Sequence, residues 1–201
     1  MRRIAPAIAI LALVACVSIW MSYGWVMDNV SQVVAKTSPE RLERIEARIH
    51  QIPDLASLQG GIDAPSLFLN NTRAVAFIFL VGLFSFGVLG ILFYMVNIGL
   101  IGGLFAAFQL LGMKPWPMFL AGVVPHGIFE IPALMIGSAA VLYMGASIVT
   151  PQLGKSMGEV ILELFADWAK IFLGVVVPLL AIAAVIEAYI TPGLLLSVMT
   201  K

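Results

Sequence analysis

Residues 74–113 read AVAFIFLVGLFSFGVLGILFYMVNIGLIGGLFAAFQLLGM, forty consecutive positions without a charged side chain. One straight helical crossing of a bilayer takes about 20 residues. The run is therefore two membrane segments, and the break between them is expected near Asn97-Ile98-Gly99, where a polar amide and a glycine interrupt the apolar pattern. Working outward, three further runs have the same character. Ile4–Met27 follows Arg2 and Arg3. Pro115–Gly154 is interrupted only by His126 and Glu130, and Ile171–Leu196 only by Glu187. The count is five membrane segments.

Composition agrees. Hydrophobic residues make up 61% of the 201 positions and charged residues 11%, against about 25% charged in soluble domains. Formal net charge is zero, so there is no basic footprint for nucleic acid. A single cysteine, Cys16, excludes an internal disulfide and a thiolate metal cluster. Neither a phosphate-binding Walker loop nor a dinucleotide Gly-rich fingerprint is present. Arg2-Arg3 before an apolar run, and Leu13-Val14-Ala15-Cys16 within it, resemble a signal peptide and a lipobox. The apolar run continues to Met27, however, so an uncleaved helix is expected. The arginine pair favours a cytoplasmic N-terminus. Lys36, Arg41, Arg44 and Arg48 in the first loop pull the other way.

Two stretches read as amphipathic helices flanking the bundle. Thr37-Ser38-Pro39-Glu40 is a helix start followed by Leu42, Ile45 and Ile49 at helical spacing. Ser156-Met157-Gly158-Glu159 is a capping box. After it, Val160, Ile161, Leu164, Phe165 and Trp168 form one face, with Trp168 expected at the membrane interface. The fold expected is thus all-α: a polytopic transmembrane helical bundle of about five segments, with a broken helix near Pro125-Gly127. Residues 1–27 would be the first membrane helix and 28–65 an extramembrane loop. Residues 66–201 would be the main membrane domain, with segments at about 66–94, 98–113 and 117–150, the amphipathic stretch 156–170, and 171–196.

The candidate site is set by cost. An ionisable side chain in hydrocarbon costs a few kcal/mol or more, so it faces the bundle interior or a wet cavity and needs a partner. Within Pro125-His126-Gly127-Ile128-Phe129-Glu130, His126 and Glu130 are one helical turn apart. Pro125 and Gly127 are poor interior helix residues, and breaks of this kind form ligand sites in transporters. Glu187 is the third ionisable group. Asn70, Arg73 and Asn97 are possible further members, Arg73 either snorkelling outward or reaching in to neutralise a carboxylate. Two readings stay open: a ligand or proton site, and a hydrogen-bonded clamp between helices. No cofactor is expected. A metal, if one binds, would take His126, Glu130 and Glu187, a ligand set zinc accepts but without HExxH spacing. Gly99, Gly102, Gly103, Ala133 and Gly137 form small-residue faces that suit close packing within the bundle or a homodimer.

Several segments together resemble the stage II sporulation protein M family of integral membrane proteins. They are Phe68-Leu69-Asn70-Asn71, Asn97-Ile98-Gly99, Pro125 through Ala133, Pro178-Leu179-Leu180, and Ile186-Glu187-Ala188-Tyr189-Ile190-Thr191-Pro192. The resemblance covers roughly residues 66–196. It implies a multi-pass protein of a prokaryotic cytoplasmic (inner) membrane and gives weight to His126, Glu130 and Glu187. The family's namesake works with peptidoglycan-remodelling partners during forespore engulfment. The resemblance therefore implies a non-enzymatic partner or scaffold of an envelope complex, contacting lipid and other envelope proteins. A small transporter or permease-like protein with a buried His/Glu site is the second expectation, and an intramembrane hydrolase the third.

Overall fold

The computed structural model describes residues 2–36, 63–150 and 154–199, and every regular element among them is helical. A short 3-10 turn at Arg2–Ile4 leads into α1 (Ala5–Lys36). Then come α2 (Ala64–Phe84), α3 (Val88–Leu110), the short α4 (Pro115–Gly122), α5 (Val124–Val149) and α6 (Met157–Ile171). A π-helical stretch, Phe172–Val176, joins α6 to α7 (Val177–Tyr189), and α8 (Thr191–Met199) ends the described chain. Five of these stretches are long and apolar enough to cross a membrane, which makes this an all-α multi-pass membrane protein.

The forty-residue run does divide into two helices, but at Ser85-Phe86-Gly87 rather than at Asn97-Ile98-Gly99. Phe86 and Gly87 have φ of 53° and 93°, the left-handed region that ends helices and favours glycine. The Gly87 N–H closes the α2 terminus on the Gly82 carbonyl at 2.7 Å. The Ser85 hydroxyl donates to Val81 O and accepts from the Leu89 N–H, serving both helices at once. Asn97 makes no turn because its side-chain amide donates to Phe93 O, one turn back, at 2.9 Å, which satisfies it inside a continuous helix. The segments expected at 66–94 and 98–113 are therefore 64–84 and 88–110. Likewise α1 continues nine residues past Met27 to Lys36, which shortens the expected 28–65 loop. The amphipathic helix expected from Thr37 lies outside the described residues.

Contacts give each helix its direction. The Tyr94 hydroxyl donates to Leu11 O, and the Tyr23 hydroxyl to Gln109 Oε1 at 2.9 Å, so α1 and α3 run parallel. Their seam needs glycine: a Cβ on Gly102 would collide with the Ile19 carbonyl. Along α5, Gly137 meets Val75, Val141 meets Gly82, and Gly145 lies against the Phe86 carbonyl, so α5 runs parallel to α2. The bundle thus has two ends. One carries the N-terminal turn, the Ser85–Gly87 turn and α6. The other, opposite end carries the start of α2, together with α4 and α8.

At the first end, the Ser156/Glu159 capping box forms as expected. Val160, Leu164 and Trp168 are buried, while Ile161 and Phe165 stay largely exposed. Trp168 is buried among aromatic rings. Its ring stacks on Phe79 with centroids 3.7 Å apart and on Phe172 at 4.7 Å, tying α6 to α2. Glu159, Glu163 and Asp167 follow one another at i,i+4 steps on the other face of α6, and their mutual repulsion is relieved where Lys155 pairs with Glu163 and Lys170 with Asp167. The last crossing is continuous with α6 and ends in a kink at Ile190, not in a straight run to Leu196.

Candidate functional site

Two kinks lie side by side at the second end and carry the ionisable residues. In each, a bent residue is followed two positions later by proline: Val123 before Pro125, and Ile190 before Pro192. Proline cannot donate the helical hydrogen bond and crowds the preceding turn, but it fits the first turn of a new helix. Val123 (φ −115°) therefore ends α4 and opens α5, and Ile190 (φ −105°) ends α7 before α8. The break expected near Pro125-Gly127 falls at Val123, and the helix has resumed by His126: the Gly127 N–H donates to Val123 O at 2.9 Å. α4 and α8 meet through Gly122 and Leu195. Trp116 and Phe119 of α4 also pack on Phe105 of α3.

His126 and Glu130 stand on one face at the start of α5, with Nε2 and Oε2 3.9 Å apart and side chains 14% and 23% exposed. Glu187 reaches them from the last turn of α7. One ligand atom from each of the three can be chosen such that all lie within 4.8 Å of one another. Thr191, the first residue of α8, is 5% exposed. Its Oγ1 donates to Ile186 O at 3.3 Å and lies 3.4 Å from His126 Nδ1. A hydroxyl has one hydrogen. With that hydrogen on Ile186, Oγ1 is placed to accept from the ring, an arrangement that favours the Nδ1–H tautomer. Nε2 is left with a lone pair facing the carboxylates. The site thus gathers one imidazole and two carboxyl groups, each able to offer an electron pair.

These groups open into a cavity of about 390 Å³. Asn70 and Asn71 of α2 and Asn97 of α3 supply further polar wall, and Ile98, Ile101 and Leu134 supply apolar wall. Among the described residues, the lining contains two carboxyl groups and neither lysine nor arginine. Of the possible further members, Asn70 and Asn97 line the cavity. Arg73 does not: it is exposed on α2, which fits the snorkelling alternative. Asn71 and Thr191 were not singled out from the sequence. Thr191 lies four residues after Glu187, a helical spacing that could have drawn notice.

The fold and this arrangement define a polytopic helical membrane protein with a polar cavity between two kinked helices. The sequence model of the stage II sporulation protein M family matches residues 7–192, and the chain belongs to that family. The match extends well into the N-terminal third, beyond the residues 66–196 that carried the resemblance. An uncharacterized protein of Methanocaldococcus jannaschii is 32% identical over 131 residues, covering 64% of this chain and 70% of the relative. No solved structure matches.

Proposed function

We propose that this protein binds a small polar solute inside the cytoplasmic (inner) membrane, as a permease-like protein, with His126, Glu130 and Glu187 as the binding groups. The observation that carries the reading is the cavity of about 390 Å³ reaching both carboxylates. A scaffold, the role suggested by the family's namesake, needs no polar cavity within its bundle. A clamp between helices would bring the carboxylates themselves into direct hydrogen bonds; His126 does reach Thr191 at 3.4 Å, but its approach to Glu130 is 3.9 Å, outside hydrogen-bond range. Paired helix breaks flanking a polar site also suit solute binding, because the freed backbone groups face protein or water rather than lipid.

The test is solvent access. In a Cys16→Ala background, Asn97→Cys in α3 and Leu92→Cys on the outer face of the same helix, where Leu92 is 53% exposed, are treated with a charged methanethiosulfonate in intact membranes. Asn97→Cys reacts and Leu92→Cys does not. Equal inertness at the two positions removes the solute-binding reading and leaves the bundle as a scaffold.

A further inference from the structure

We infer that the solute bound at this site is a divalent transition-metal cation, held by His126 Nε2 and one carboxylate oxygen each from Glu130 and Glu187. The assignment rests on the solute-binding reading and names its ligand class.

Three observations converge on it. The first is donor chemistry. One imidazole nitrogen with two carboxylate oxygens suits zinc, manganese or iron(II), while magnesium prefers oxygen ligands and its own waters. The second is the hydrogen bond behind the histidine. Metal-ligating histidines commonly turn their other ring N–H onto an oxygen, which fixes the tautomer and aims the free lone pair. Thr191 Oγ1 holds that place, 3.4 Å from Nδ1, with its own hydrogen already committed to Ile186. The third is charge. When both carboxyl groups are ionised, they and a neutral imidazole sum to minus two, and among the described residues the cavity wall has no lysine or arginine to balance them. A divalent ion makes the group neutral. A monovalent ion leaves a net negative charge where charge is expensive.

Distance fits as well. Metal–ligand bonds of about 2.0–2.2 Å place ligand atoms roughly 3–3.5 Å apart. The three groups stand within 4.8 Å, so closure asks for a movement of about an ångström, within reach of the outer torsions of two glutamates. The remaining coordination positions face the cavity, where water or a departing ion can be accommodated.

The experiment uses tag-free, full-length protein in detergent, stripped with chelator and then titrated with Zn²⁺, Mn²⁺ or Mg²⁺, reading stoichiometry by elemental analysis and affinity by calorimetry. One Zn²⁺ or Mn²⁺ binds per chain, and Mg²⁺ binds at least 100-fold more weakly. Glu130→Gln and Glu187→Gln each abolish stoichiometric binding while remaining helical and monodisperse. Thr191→Val weakens binding about 10–100-fold, and Thr191→Ser restores it. X-ray absorption on the loaded protein shows one nitrogen and carboxylate oxygens in the first shell. Absence of one-to-one binding, or binding unaltered in both glutamine variants, overturns the assignment. If no metal binds while Asn97→Cys still reacts, the metal falls and the cavity reading stands. If Asn97→Cys is inert, the cavity reading itself falls.

Discussion

Thr191 Oγ1 stands 3.4 Å from His126 Nδ1 across the junction of two kinked helices, and it is placed to accept from the ring, because its hydrogen is given to Ile186. The arrangement favours the Nδ1–H tautomer of the neutral imidazole. Nitrogen NMR of histidine-labelled protein therefore reports that tautomer at neutral pH in chelator. In Thr191→Val the Nε2–H form gains population. A wild-type ring already on the Nε2–H tautomer would contradict the geometry.

The cavity's charge predicts which reagents enter it. Among the described residues its wall holds two carboxyl groups and no lysine or arginine, and an electronegative cleft with low-dielectric walls concentrates cations and repels anions. At Asn97→Cys, a cationic methanethiosulfonate reacts roughly tenfold or more faster than an anionic one. Glu130→Gln combined with Glu187→Gln brings the two rates together. Rates that are equal before the charges are removed would place Asn97 outside the field of these groups.

Function and stability pull apart at Glu130. With both carboxyls ionised, two carboxylates and an imidazole lone pair facing one another repel, which costs the metal-free fold stability. Glu130→Gln, measured in chelator, therefore raises the melting temperature: about 1 kcal/mol corresponds to roughly 2–4 °C for a chain of this size. Were Glu130 a clamp between helices, the same substitution would lower it. Thermal melting in detergent distinguishes the two signs.

Close packing makes a sharper stability prediction. Gly102 lies against the Ile19 carbonyl and Gly145 against the Phe86 carbonyl, both backbone atoms that cannot swing away. Gly102→Val or Gly145→Val forces helices apart, costing about 1–3 kcal/mol or more. Gly158→Ala, on open surface of α6 with nothing near its Cβ position, is neutral or mildly stabilising. Melting temperatures of the three variants rank accordingly.

At the start of α2, Asp63 Oδ1 accepts the Ser66 N–H at 2.8 Å. The hydrogen bonds from Ser66 hold its carboxyl below the usual carboxylate range. A carboxyl with a depressed folded pKa contributes stability above its unfolded pKa and loses it as pH falls through the folded value. The wild type therefore loses this part of its stability below about pH 4. Asp63→Asn, whose side chain caps without titrating, shows a smaller acid loss. Melting curves of the two proteins at neutral and acid pH make the comparison; parallel acid losses would show that the cap's charge contributes nothing.

The number of crossings and the three ionisable groups were legible because both follow from transfer cost: long uncharged runs must cross, and the few charges inside them must meet partners. Where the forty-residue run turns was not legible from polarity. Asn97 is the more polar candidate, but a side-chain amide can bond one turn back and stay in a helix, and Asn97 does so with Phe93. The turn belongs to Ser85-Phe86-Gly87, whose signal is backbone conformation. Trp168 was legible as part of an apolar face, but its partners were not. An indole on an amphipathic helix suits an interface, but two phenylalanine faces, Phe79 and Phe172, were near enough to bury it. Thr191 stayed hidden because its role depends on the kink at Ile190, which places its hydroxyl between a carbonyl and a ring. Arg73 offered two directions by its length alone; in the packed bundle it is exposed and outside the cavity lining.

The parallel pairing of α1 with α3 has a consequence for biogenesis. During synthesis α1 leaves the translocation machinery first, yet the seam it needs, Gly102 against Ile19, is made only when α3 arrives some eighty residues later. Until then the Ile19 face of α1 lacks the glycine seam that receives it. A nascent chain arrested after Phe84 has every residue of α1 and none of the helix that receives it.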